Sequence, residues 1–206
     1  MELRPDLAII ADWIRPGSRV LDLGCGDGTL LSYLQKKLNV VGYGLDIDPA
    51  NVCAALKTGV NVIQMDLDRE SLEFFETASF DYVVMSQALQ AVRYPDYMLA
   101  EMLRIGNEGI LTFPNFGHWR CRWQLSLKGR MPVSDHLSAE WYNTANIHLC
   151  TVTDFETLCQ ERGYEILGRR VVDKYHRNSW FMQLAPNLLG EIALYSLRDS
   201  RRSPII

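Results

Sequence analysis

The apolar positions of this chain switch repeatedly between the short runs of buried strands and the three-to-four-residue spacing of amphipathic helices. Residues 6–14 read as an opening helix, stopped by Pro16 and Gly17. Apolar runs at 19–23, 40–45, 61–65, 80–85 and 108–113 read as strands. Between them, 29–37 reads as a helix with Leu30, Leu31 and Leu34 on one face, and 95–104 as a helix closed by Gly106. Asp48 and Pro49 supply an N-cap and a first-turn proline for a further helix reaching Lys57, with Gly59 beyond its end. The run from Thr153 to Glu156 reads as a capping box opening a helix that stops at Gly163. Final strands are predicted at 164–172 and 191–198. Residues 173–190 give no assignable shape, although Trp180, Phe181, Met182 and Leu184 within them are read as core, with an exposed contact patch as the alternative. Such alternation predicts an α/β fold, a largely parallel sheet with helices on both faces. One domain is expected over 1–206, with the irregular, aromatic section 116–150 inserted after the fifth strand.

Composition narrows the function classes. The chain has 206 residues, 48% of them apolar and 22% charged, as in ordinary globular proteins. Its net charge of −4 weighs against nucleic acid as the main partner, because phosphate affinity comes from clustered Lys and Arg. Five scattered cysteines without a Cys-x-x-Cys pair suggest neither a disulfide framework nor a zinc site. Neither a leader pattern nor a run of 18 apolar residues is present, so a cytoplasmic protein without a membrane anchor is expected.

The candidate chemistry sits at the carboxyl ends of the predicted strands, where open α/β sheets bind ligands. Residues 20–28 read Val-Leu-Asp-Leu-Gly-Cys-Gly-Asp-Gly, a strand running into a loop with glycine at every second position. Without Cβ atoms, Gly24, Gly26 and Gly28 let the backbone turn sharply and lie against a ligand. Asp22 and Asp27 disfavour a pyrophosphate there but suit the ammonium and sulfonium of S-adenosylmethionine. The alternative is a tight strand–helix turn with no ligand. After the second strand, Asp46 is positioned to accept from ribose hydroxyls, with Ile47 beside it; its alternative role, helix capping, suits Asp48 better. After the third strand, Asp66 could accept from the adenine amine while Leu67 covers the ring; otherwise Asp66 caps a helix around 70–76. Ser86 and Gln87 follow the fourth strand and are candidates for the cofactor or substrate edge, whereas Asp81, at that strand's start, is read as structural.

This pattern resembles the class I S-adenosylmethionine-dependent methyltransferases, a Rossmann-like fold with seven strands and the last one antiparallel. More narrowly, the chain resembles the MetW family of methionine biosynthesis proteins. The stretches that carry the likeness lie at 4–7, 13–28, 62–68, 101–104, 113–119, 129–134 and 141–150. The later stretches are specific to the narrower family, and the likeness extends over about 4–198. It implies binding of S-adenosylmethionine, or S-adenosylhomocysteine as product, by Asp22, Gly24, Cys25, Gly26, Asp27, Gly28, Asp46, Ile47, Asp66, Leu67 and Gln87. It also implies association with a homoserine O-acyltransferase whose activity the chain supports, and it leaves methyl transfer itself open.

A sulfonium already activates its methyl group, so an intact cofactor pocket serves a catalyst and a ligand sensor equally well. The alternative function is methyl transfer to a small molecule, with His118 or His148 as base. Against that stands the plainer reading that the His and Trp residues of 116–150 pack a lid. Ser86-Gln-Ala-Leu89 stands where amino-methylating enzymes carry Asn-Pro-Pro-Tyr, which argues against methylation of a base amine. A metal set of His118, Cys121, His136, His148 and Cys150 matches no standard spacing, so no metal is expected. Arg120, Arg122, Lys128 and Arg130 are read as a solvated basic face, with an anionic ligand as the alternative.

Overall fold

Strand β1 (Arg19–Leu23) buries four residues in a row, a pattern that arises only when both faces of a sheet are covered. The computed structural model describes residues 3–133, 139–173 and 180–202. In it the chain runs α1 (Pro5–Trp13), β1, α2 (Thr29–Leu38), β2 (Val41–Asp46), α3 (Pro49–Lys57), β3 (Asn61–Gln64) and β4 (Phe80–Ser86). It continues through α4 (Pro95–Ile105), β5 (Gly106–Pro114), α5 (Trp119–Lys128), α6 (Val152–Arg162) and β6 (Tyr164–Val172). The last elements are α7 (Trp180–Leu184), α8 (Pro186–Leu189) and β7 (Ile192–Asp199).

The strands form one sheet in the order β3-β2-β1-β4-β5-β7-β6. Neighbouring strands from β3 to β5 pair in parallel, whereas β7 is antiparallel to both β5 and β6. Residue parity divides the core. Leu21, Leu23, Val83, Met85, Leu111, Phe113 and Tyr195 face α4 and α6, while Val20, Tyr82, Val84, Ile110 and Leu194 face α1 and α2. The expected amphipathic face of α2 is real: Leu30, Leu31 and Leu34 are all buried. From β1 the chain moves outward through β2 and β3, then crosses back to β4 on the other side of β1. The strand order therefore reverses between β1 and β4, opening a crevice at their carboxyl ends.

Three local expectations are corrected. The capping box of α6 is formed by Thr151 and Asp154, not by Thr153 and Glu156. Starting the helix earlier lets Val152 enter the core, and Glu156 instead accepts from the Tyr195 hydroxyl (2.8 Å) and pairs with Arg169 (2.9 Å). No helix forms around 70–76. The Arg104 guanidinium donates to the Phe75 and Leu72 carbonyls (2.8 and 3.0 Å), satisfying that turn from outside. Finally, Trp180 and Leu184 belong to the short helix α7 and are exposed, while Met182 packs against the core. His136, Ser134 and Asp135 lie outside the described residues.

Candidate functional site

The glycine loop leaves β1 with Gly24, Gly26 and Gly28 all at positive φ (78°, 57° and 74°), which explains why side chains with a Cβ are absent there. Its backbone is tied to β2, since the Gly24 and Cys25 amides both donate to the Leu45 carbonyl (2.8 and 2.9 Å). Gly28 is closed off; a Cβ there would lie 2.9 Å from the Ala55 Cβ. Gly24 abuts the loop after β4, 3.1 Å from the Ala88 Cβ to where its own would stand. Gly26 alone of the three faces open space. The Cys25 side chain turns inward over Gly44, and burial pushes its thiol up to about 12. Only its backbone can serve a ligand.

Asp46 organises this loop. One carboxylate oxygen accepts from the Gly26 amide (2.7 Å), the other from the Asp48 amide (2.9 Å) and the Asn51 side chain (3.2 Å). Asp48 caps α3 through the Ala50 amide, as expected. Asp27 is exposed and accepts from the Thr29 amide (3.0 Å) at the start of α2. Ile47 is exposed at the crevice rim beside Asp46. Asp66 accepts from the Asp68 amide (3.0 Å) and pairs with Arg69 (3.3 Å), with Leu67 half-buried next to it.

Asp22 is the electrostatic anomaly. It is 2% exposed, its Oδ1 has no hydrogen-bond partner, and burial together with the Asp46 charge raises its carboxyl to about 7. A buried carboxylate without a donor is costly unless something positive or hydrogen-bonding completes it.

Across the crevice, Gln87 sits at φ 53°, its amide held by the Thr112 carbonyl (3.1 Å) and hydroxyl (3.0 Å). Its side-chain amide reaches the buried Asp6 (3.2 Å), which Arg4 also grips (2.7 Å). The start of α1 is thus latched to the loop after β4. Sequence reasoning assigned Asp6 and Thr112 no role; the stretch at 4–7 was the available signal.

The section after β5 hangs on Asn115, 2% exposed. Its amide donates to the Gly190 and Asn187 carbonyls (2.8 and 3.1 Å) while its oxygen accepts from the Gly117 and Val152 amides (2.9 and 3.2 Å). His118 is buried beside Glu191 (4.0 Å), and burial reinforced by Arg120 lowers its imidazole to about 4. His148 is exposed, with its Nε2 3.1 Å from the Arg93 carbonyl. No hydrogen bond or ion pair among the described residues joins the two histidines.

Comparison with known proteins puts this geometry in context. The chain is 34% identical over 165 residues to a bifunctional methionine biosynthesis protein MetXA/MetW of Rhodopirellula baltica, covering 76% of this chain and 26% of that one. The chain spans from 26% to 52% of the length of the curated relatives it matches. Among solved structures, an S-adenosylmethionine-dependent methyltransferase of Mesorhizobium loti superposes with TM-score 0.67, covering 94% of this chain and 96% of that one at 18% identity. A phosphoethanolamine N-methyltransferase of Haemonchus contortus, solved with S-adenosylhomocysteine, gives TM-score 0.66 at 15% identity, covering 94% of this chain and 52% of that one. At such identities these structures establish the Rossmann-like methyltransferase fold. The sequence pattern of the family described as methionine biosynthesis protein MetW matches residues 4–197, nearly the whole sequence, and the chain belongs to that family.

Proposed function

We propose that this chain binds S-adenosylmethionine or S-adenosylhomocysteine in the crevice between β1 and β4, and that it associates in the cytoplasm with a homoserine O-acyltransferase whose activity it supports. The observation that carries the first half is the buried, partnerless Asp22 oxygen beside Asp46 under an open Gly26. Two neighbouring carboxylates in a low-dielectric crevice call for a cation rather than a phosphate. The second half is supported by family membership and by the joint name of the Rhodopirellula relative.

S-adenosylmethionine, when bound, supplies a methyl group activated by its sulfonium. Around it, the backbone of Gly24, Cys25, Gly26 and Gly28 shapes the cradle and Asp22 faces the positive methionyl end. Asp27 adds negative potential at the rim. Asp46 has lone pairs left for ribose hydroxyls, Ile47 and Leu67 cover the adenine, Asp66 takes its amine, and Gln87 closes the methionyl side.

Support for acyl transfer is favoured over small-molecule methylation by family membership and the Rhodopirellula relative's joint name, and the buried histidine is a poor base. His118, lowered to about 4, holds a proton too weakly near neutral pH, and burial is the cause. The test is to assay the acyltransferase of the same organism alone and with this chain, with and without S-adenosylmethionine. A rate raised by the chain is expected. An unchanged rate, with methylated product accumulating instead, would refute the proposal in favour of a methyltransferase.

A further inference from the structure

Helix α5 turns its largest apolar side chains outward. Trp119, Trp123 and Leu127 recur every fourth residue, one stripe on one face, at 45%, 57% and 65% exposure. Cys121 is the helix's buried anchor. At the C-terminal end of α5, Gly129, Arg130 and Met131 line a hollow together with Glu140, Trp141 and Tyr142, the two aromatics being 72% and 71% exposed. Met131, Trp141 and Tyr142 also line an adjoining cavity of about 370 Å³ that reaches Phe116, beyond the end of β5.

The four aromatics expose about 500 Å² if each ring system offers roughly 200 Å². That is about the size of the largest apolar patch on a typical monomer, roughly 300–600 Å² and often a functional one. It is also about the apolar centre of a standard interface, which buries roughly 800 Å² per partner. The patch carries charge as well. Residues 116–149 hold four Lys and Arg against two Asp and Glu, whereas the rest of the chain holds seventeen against twenty-three. Lys128 and Arg130 form no ion pair with any described residue. An apolar centre rimmed by cations on an otherwise acidic chain is complementary to an apolar projection ringed by carboxylates.

We propose that the stripe of α5 and the adjoining Trp141–Tyr142 hollow are the docking surface for the homoserine O-acyltransferase, which presents an apolar projection bordered by acidic side chains. This rests on the association proposed above. Two further features favour that occupant over a second copy of the chain. Two like basic rims would repel each other, and the Rhodopirellula relative is named for both functions in a single chain. The position also matters. The patch begins beyond Asn115 and Gly117, at the same carboxyl end of the sheet as the glycine loop, so docking and cofactor occupancy share one edge.

The experiment measures binding of the purified chain to the acyltransferase of the same organism by calorimetry at low and moderate salt. Wild type is compared with W123A/L127A, with K128E/R130E, and with I63A on β3, an exposed apolar residue remote in sequence and fold. The expected result is at least a tenfold loss for W123A/L127A. For K128E/R130E a comparable loss and a weaker salt dependence are expected, with I63A unchanged. S-adenosylhomocysteine binding and melting temperature serve as folding checks, and K128E/R130E alters only solvated side chains. Wild type that fails to bind the acyltransferase overturns the association and this assignment with it. Wild-type binding retained by both double variants overturns the assignment alone. A wild-type self-dimer that W123A/L127A dissociates, with acyltransferase affinity intact, also overturns it.

Discussion

Replacing Asp22 with Asn should make the ligand-free chain more stable at alkaline pH while weakening its hold on the cofactor. Asp22 lies in β1, an interior strand of the sheet, paired across Gly44 and Val84, and is almost wholly buried. Burial and the Asp46 charge raise its carboxyl from 3.8 to about 7. The folded chain therefore keeps a proton that the unfolded chain releases at lower pH. Asp22 opposes folding progressively between those two values and to a constant extent above about 7. Each pH unit of that interval is worth about 1.4 kcal/mol, so the opposition reaches at most about 4 kcal/mol. Asn is nearly isosteric and uncharged, but its amide must also be desolvated, which reduces the gain to between about 1 and 4 kcal/mol. Urea unfolding of both proteins from pH 5 to 8.5 measures this directly. The variant's advantage should grow from pH 5 to about pH 7 and stay level above it. A cationic ligand favours the carboxylate, so wild-type affinity for S-adenosylmethionine should rise with pH through about 7 and the variant's should not. A stability difference that is absent, or the same at every pH, would refute the claim that the crevice strains this carboxylate.

The glycine loop separates two kinds of damage. G26A should cost only about 1 kcal/mol in stability, for a left-handed alanine, because a Cβ there meets nothing within 4 Å, but it should abolish cofactor binding in calorimetry. G28A should lower the melting point steeply, since its Cβ would press on Ala55 and Val60. D46N should bring the Asp22 carboxyl down from about 7, which carboxylate NMR titration would follow, and should loosen the loop by weakening the acceptor for the Gly26 amide. N115A should cost roughly 3 kcal/mol in unfolding experiments, because it strands several buried backbone groups at once.

Much of this architecture was legible in the sequence because single residues enforce it. The glycines at 24, 26 and 28 occupy left-handed backbone, Asp48 and Pro49 start α3, and Gly163 ends α6 in the left-handed region. Alternate residues along β1 and β4 fall on opposite core faces as period-two patterning requires. What escaped reading depends on contacts distant in sequence. Nothing near residues 70–76 announces that Arg104 will take their carbonyls, and nothing near Asp46 announces the Gly26 amide. Asn115 directly follows the end of β5, yet its partners lie up to 75 residues away. Helix α5 lies within the section read as irregular, and only the assembled fold reveals that Trp119, Trp123 and Leu127 share a face with no neighbour to bury them.

If Asp22 and Asp46, crowded together beside the open Gly26 backbone, hold a cationic adenosyl ligand, a complex will show it there. A crystal structure of the chain grown with S-adenosylhomocysteine tests it most directly. The ligand is expected across the Gly24–Gly28 loop, its ribose on Asp46 and its amino group on the Asp22 side. Electron density elsewhere, or a crevice that instead takes up a phosphate-bearing nucleotide, would contradict it.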